Sequence, residues 1–186
     1  LYQMHVPDAS TPIEETMRAL DDLVTSGKVR YIGHSNFTGW MTAEAHYVAE
    51  MKNFAPFVSA QNQYSLLERG IERELVPACE RYGVSMLPFF PLASGFLTGK
   101  YRKDQEKPEG ARLSNPAMGR MADRIFSDRN YDVLEKLDEF AGQRGKGVLD
   151  VAIGWLATKS YVGSVIAGAT KPEQVETNVA AGDWRL

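Results

Sequence analysis

Short apolar runs alternate along this chain with stretches in which apolar residues recur every three or four positions. The runs read as strands, the stretches as amphipathic helices. Leu1–His5 is the first run, and it stops at a Pro7-Asp8 turn. Thr11-Pro12-Ile13-Glu14 then opens a helix. Thr11 and Glu14 have capping-box spacing, and Pro12 stands where its missing N–H costs nothing. Ile13, Met17, Leu20, Leu23 and Val24 form the apolar stripe, and Gly27 closes the helix. Val29–Gly33 predicts the next strand, Trp40, Tyr47, Val48 and Met51 a second helix, and Phe57–Gln61 a third strand. Ile71, Leu75, Val76, Cys79 and Tyr82 stripe a third helix that ends at Gly83. Pro77 within that stripe predicts a separated first turn or a kink. Val84–Phe90 predicts a fourth strand.

The rhythm then breaks. Residues 92–129 are long, polar and rich in turn formers, with "RKDQEKPEGARLSNP" at their centre. A loop of that length in a compact domain is functional or mobile. Two further helical stripes follow, one through Val133, Leu134, Leu137, Phe140 and Ala141, one over residues 149–159. Ser164–Ala167 predicts a last strand, and Thr170, Pro172 and Glu173 open a final helix with capping-box spacing. Five strands, each followed by a helix, predict an α/β fold with a parallel sheet. The first four begin roughly 28 residues apart, which suits a (β/α) barrel. A doubly wound sheet is the alternative, but no G-x-G-x-x-G opens a helix after a strand.

Composition narrows the function classes. Hydrophobic residues make up 44% and charged residues 24% of the 186, ordinary for a globular protein. A net charge of −3 with interleaved signs argues against nucleic acid and an anionic membrane surface as partners. The apolar runs are too short for a membrane span. Cys79 is the only cysteine, so an internal disulfide and a thiolate metal cluster are both excluded, and a reducing, cytoplasmic setting is the default. No set of His, Asp and Glu has metal-ligand spacing. Cys79 reads as a core thiol, His34 as packing between sheet and helices, His46 as a surface residue, and Trp155 and Trp184 as packing.

Chemistry concentrates where the strands end: His5, Ser35-Asn36, Gln61 and Gln63, Phe89-Phe90-Pro91, and Gly168-Ala169-Thr170. A strand end is polar also because it meets water, so no single one of these decides the matter. Together they offer amides and hydroxyls for an uncharged polar ligand, an aromatic face for a planar ring, and a glycine loop, "SGFLTGK", for a phosphate.

Five stretches carry a family resemblance: "LYQMHVPD", "GKVRYIGHSNF", "SAQNQYSLLER", "PFFPLASGFLTGKY" and "VIAGATKPEQVETN". In this order they cover nearly the whole chain, and it resembles the C-terminal portion of an aldo-keto reductase. The resemblance implies a (β/α)8 TIM barrel, here about strands 4–8 with their helices as a single domain. It implies NADP(H) as cofactor, bound without a dinucleotide fold, and a small aldehyde or ketone as substrate. His5 matches the active-site histidine that hydrogen-bonds the substrate carbonyl. Ser35, Asn36 and Gln61 match the residues that hold the nicotinamide carboxamide, and Phe89 the aromatic residue that stacks on its ring. Phe90, Pro91, Leu92, Ser94, Gly95, Leu97, Gly99 and Lys100 fall in the stretch that wraps the pyrophosphate. Gly168, Thr170, Lys171, Gln174 and Asn178 match the adenosine end, with Asn178 at the adenine. Lys171 meets a 2′-phosphate, favouring NADPH, or is a solvated lysine. Phe37 and Trp40, just past the second strand, are expected to wall the substrate pocket.

The family's catalytic set is Asp, Tyr, Lys and His, and only the histidine is matched here. Five strands do not close an eight-strand barrel, which takes about 250 residues. The expectation is therefore a fragment, inactive alone, of an active reductase. A regulatory NADPH-binding module resembling potassium-channel β subunits is the alternative. Oligomeric state and physiological substrate are not legible.

Overall fold

The computed structural model describes residues 1–184 and 186. They fall into two compact units: Leu1–Gln63 with Arg69–Phe89 and Ser160–Ser164, and Tyr64–Glu68 with Phe90–Lys159 and Val165–Leu186.

The first unit alternates strand and helix: β1 (Tyr2–Met4), α1 (Ile13–Thr25), β2 (Ile32–Ser35), α2 (Gly39–Lys52), β3 (Phe57–Gln61), a 3-10 turn (Gly70–Arg73), α3 (Leu75–Tyr82) and β4 (Ser85–Met86). Among the described residues the strands form one four-stranded sheet in the order β1-β2-β3-β4, every pair parallel. The order has no reversal, whereas a doubly wound sheet reverses at its switch point. Pro77 lies in the first turn of α3, behind the separate 3-10 turn, so the expected split is present.

Local details differ from expectation. The capping box at Thr11 does not form: the Thr11 hydroxyl donates to Asp8 Oδ2 at 2.9 Å, and α1 starts at Ile13 behind Pro12 with no side-chain cap. Asp8 also accepts from Ser10, so an Asx turn takes the polar groups that the helix end would have used. β2 begins at Ile32 rather than Val29, because Lys28 and Val29 still donate to Leu23 O. β4 is two residues long, where seven were expected; Phe89 returns to the sheet through a single bridge to Gln63. Ser164–Ala167 forms no strand: Val162 bridges Met86 and Ile166 is an isolated bridge residue. A two-residue β4 offers too short an edge for a longer pairing.

Because side chains alternate across a strand, register sorts the sheet into two rows. Met4, His34, Ala60 and Met86 form one row, packed with the helices. Gln3, Gly33, Ser59 and Ser85 form the other, which is small and polar. Gln3 Nε2 donates to Ser59 Oγ at 3.3 Å. A Cβ on Gly33 would run into Ser59 Oγ and lie 2.9 Å from Ser59 O, so the close approach of β2 and β3 requires glycine there.

His34 is fully buried, stacked on Phe37 with centroids 4.6 Å apart and edge-on to Phe57 at 5.1 Å. The Thr42 hydroxyl gives its only hydrogen to Thr38 O at 2.9 Å, so it accepts from His34 Nε2 at 3.3 Å. The ring is thus the Nε2–H tautomer, and its bare Nδ1 has no partner. Burial pushes the His34 pKa down to about 4. His46 is half-buried rather than on the surface, stacked on Tyr82 at 4.4 Å. Cys79 is buried and its thiol is pushed up to about 12, first by burial and then by Glu80.

The second unit is helical. After a 3-10 segment (Ala93–Thr98) come α4 (Gly119–Ile125), α5 (Asp128–Gly142), α6 (Val148–Ala157) and α7 (Pro172–Gly182). Phe96, Leu97, Tyr101, Leu113, Leu134, Val148 and Ala152 build its core, with Phe126 and Tyr131 against it. The stretch expected as loop therefore contains a helix, α4. Its seven residues bury only Ala122, too little to mark an apolar stripe in the sequence. Trp155 packs on Tyr64 with centroids 5.1 Å apart. At α7 the expected Thr170–Glu173 pairing is replaced: Gln174 Oε1 accepts from Thr170 N at 2.7 Å and from its hydroxyl at 3.3 Å. Among the described residues no helix is long and apolar enough to cross a membrane, and no cluster of three or more His, Cys, Asp and Glu is placed to hold a metal.

Candidate functional site

In the first unit, the ends of β1, β2 and β3 are tied by two polar side chains, Asn36 and Ser35. Asn36 Nδ2 donates to His5 O at 3.0 Å and to Ser35 Oγ at 3.1 Å. Ser35 Oγ in turn donates to Gln61 O at 2.6 Å, and Asn36 N reaches the same carbonyl at 3.3 Å. The parallel register that sets Ser35 beside Gln61 makes this possible. His5, Ser35, Asn36 and Gln61, read separately from the sequence, thus form one cluster. Ser35 is buried and its only hydrogen is committed to Gln61 O, so it orients Asn36. Asn36 holds φ at 61°, a left-handed conformation that asparagine tolerates better than most residues. Among the described residues nothing pairs with Asn36 Oδ1 or with the half-buried Gln61 side-chain amide, which leaves an acceptor and a donor–acceptor pair on adjacent strands. The His5 ring is exposed at the end of β1. Phe89, half-buried, follows at the bridge to Gln63, its N–H donating to Asn62 O at 3.1 Å.

The two expected pocket walls part company. The left-handed turn at Asn36 sends Phe37 inward, where it is 4% exposed among Met17, Leu20, Ile32 and Phe57. It is a core residue, not a wall. Trp40 is 57% exposed on the first turn of α2, and its N–H donates to Glu74 Oε1 at 2.7 Å.

In the second unit, Phe90, Ala93, Ser94, Gly95 and Gly99 all have positive φ, between 46° and 94°. Ala93, Ser94 and Gly95 are left-handed in succession, and the N–H groups of Ala93, Gly95, Leu97 and Gly99 already donate to Phe90 O, Leu92 O, Leu92 O and Phe96 O, so the segment is a tight turn rather than an open nest of N–H groups. Lys100 folds back over this segment: a Cβ on Gly95 would meet its Nζ at 3.3 Å. No carboxylate lies in ion-pair range of Lys100 among the described residues. Pro91 is buried and Leu92 half-buried against the core. Leu97, expected at the pyrophosphate, is fully buried with Phe96 and Tyr101 and is a packing residue. Ser94 is buried, its hydroxyl donating to Met121 Sδ at 3.2 Å. Gly168 and Lys171 are exposed, and Thr170 is held by Gln174. Asn178 lines a hollow of about 310 Å³ with Ile153, Ala157, Val165, Val175 and Val179.

Three residues escaped the sequence reading. Glu74 caps α2 from 34 positions away, so no local pattern joins it to Trp40. Arg112 stands over Phe90 with its guanidinium 6.0 Å from the ring centroid, bringing a cation to this turn. Asn62 Nδ2 donates to Phe37 O at 3.2 Å; its one visible signal is an amide between two others in "QNQ".

Comparison with known proteins adds to this geometry. The model of the aldo/keto reductase family matches residues 1–186. An "uncharacterized oxidoreductase YrpG" of Bacillus subtilis (strain 168) is 36% identical over 186 residues, covering 100% of this chain and 54% of the relative. A "putative voltage-gated potassium channel subunit beta" of Schizosaccharomyces pombe is 35% identical over 183 residues, covering 97% and 53%. An "L-glyceraldehyde 3-phosphate reductase" of Escherichia coli (strain K12) is 34% identical over 186 residues, covering 97% and 52%. The chain therefore spans about half the length of the curated relatives it matches. With the family model matched from the first residue to the last, the chain belongs to the aldo/keto reductase family.

Proposed function

We propose that this chain is the cofactor-holding part of a (β/α)8 carbonyl reductase that uses NADPH to reduce an aldehyde or ketone to an alcohol. The observation that carries the reading is the cluster at the strand ends, Asn36 tied to His5 and Ser35, with Gln61 beside it. The residues fit the cofactor by their donor sets. A carboxamide presents an NH2 group and a carbonyl, and Asn36 Oδ1 and Gln61 Nε2 supply a complementary acceptor and donor. A pyrophosphate needs positive charge, which Lys100 beside Gly95 and Arg112 beside Phe90 supply. Asn178 and its hollow suit the adenine, and Lys171 a 2′-phosphate. NADPH, when bound, supplies the hydride. The chain's own residues orient and polarise: Asn36 and Gln61 fix the carboxamide, Phe89 backs the ring, and His5 donates a hydrogen bond to the substrate carbonyl oxygen. A second reading, a regulatory subunit that keeps the cofactor, rests on the relative named as a channel subunit. Turnover of 4-nitrobenzaldehyde with NADPH by the full-length protein separates the two.

NADPH titration followed by fluorescence tests the site. Asn36→Ala or Gln61→Ala in the full-length protein should each weaken binding about tenfold, the loss of one buried hydrogen bond. Unchanged affinity in both variants overturns the carboxamide assignment.

A further inference from the structure

Asn62 is 7% exposed, and its side chain reaches the backbone of the turn after β2. Its Nδ2 donates to Phe37 O at 3.2 Å, and its own carbonyl accepts from Phe89 N at 3.1 Å. Its Oδ1 is buried without a partner. A buried amide that satisfies one half of itself and leaves the other unpaired adds little net stability, since the orphaned oxygen loses its hydration. What the side chain does secure is position. Phe37 follows Asn36, whose left-handed φ of 61° is unfavourable without surrounding constraint. On one side Asn36 is held by Ser35 in the sheet. On the other the chain is held twice at Phe37, by its ring against His34 and Phe57 and by its carbonyl on Asn62. With both neighbours anchored, the amide of Asn36 keeps one orientation.

We propose that Asn62 is a positioning residue for nicotinamide recognition: acting through Phe37 O, it holds Asn36 in the strained turn that aims its Oδ1 at the carboxamide. The inference rests on the carboxamide reading above, and its test distinguishes the two. The bond from Phe89 N goes to the backbone carbonyl of Asn62 and stays in Asn62→Ala, so that variant removes the Phe37 contact alone.

The experiment compares two ligands on the full-length protein: NADP+, and 2′-phospho-ADP-ribose, which is the same molecule without the nicotinamide. Asn62→Ala should weaken NADP+ about tenfold and leave the shorter ligand within about twofold. Asn36→Ala should show the same selectivity, and the double variant should lose no more than Asn36→Ala alone, because both act on one contact. A merely structural role weakens both ligands together, and that result overturns the proposal, as does no change in either. If Asn36→Ala itself fails to discriminate, the carboxamide reading falls; if it discriminates and Asn62→Ala does not, only the role of Asn62 falls. Asn62→Ser, whose hydroxyl is too short to span to Phe37 O, gives the same comparison should the alanine variant not fold.

Discussion

Gly39→Ala is expected to destabilise the full-length protein by about 3 kcal/mol, overpacking and cap loss combined. Gly39 is the first residue of α2 and is buried. A Cβ there would lie 2.6 Å from Glu74 O and 2.8 Å from Glu74 C, both backbone atoms that do not swing aside. Relief requires α2 and the segment before α3 to separate. That breaks the 2.7 Å bond from Trp40 N to Glu74 Oε1, which satisfies one of the N–H groups a helix end leaves open. Urea denaturation should show a lower midpoint at unchanged slope. Gly142→Ala is the control: nothing lies within 4 Å of its Cβ at the end of α5, and the exchange should be neutral or raise stability by up to about 1 kcal/mol. Equal losses in both variants would show that the contact with Glu74 is not what holds Gly39.

Stability should also fall between pH 6.5 and pH 4 through His34. The folded state holds this ring neutral, with a pKa pushed down to about 4 from 6.5 by burial. The sign follows from proton counting: below pH 6.5 the unfolded chain binds a proton at this residue and the folded chain does not. Acid therefore favours unfolding progressively, until near pH 4 the folded ring is protonated as well. The full effect is about 3 kcal/mol. His34→Phe, which keeps an aromatic ring against Phe37 and Phe57, removes this part of the slope. The quantity to measure is the difference in unfolding free energy between wild type and variant at pH 7 and at pH 4. A difference that is the same at both pH values would show that His34 titrates in the fold as it does in the unfolded chain.

His34 also illustrates what was legible. Its placement next to Ser35 implied opposite faces of one strand, and the fold bears that out: Ser35 belongs to the polar cluster and His34 to the helix-packed row. Strand-to-strand alternation is a local property, so the sequence carries it. The same holds for β3; α2 forms where expected, but its buried face is Gly39, Thr42, Ala45 and Ala49, whereas Trp40, Tyr47 and Met51, which marked it, are exposed. The reading failed where a local preference met a competing partner. Thr11 has the spacing of a cap, yet Asp8 captures its hydroxyl. Thr170 faces the same competition and is held by Gln174 rather than Glu173. β4 and the stretch after it are β-prone by composition, but strand length depends on how far a neighbour runs alongside, which no single segment encodes.

By itself the sequence determined the parallel α/β plan, the succession of strand and helix, and the positions of His5, Ser35, Asn36 and Gln61 at strand ends. Each follows from hydrophobic period and from polar residues placed directly after an apolar run. Only the tertiary structure decided how those residues meet. The Asn36 amide reaches His5 O across 31 positions and Ser35 reaches Gln61 O across 26, contacts that exist because parallel pairing sets β1, β2 and β3 in register. The left-handed turn at Asn36 sent Phe37 into the core, and packing did the same to Leu97. A side chain's direction after a strand depends on one backbone torsion and on distant hydrogen bonds such as that from Asn62, and neither leaves a periodic trace in the order of residues.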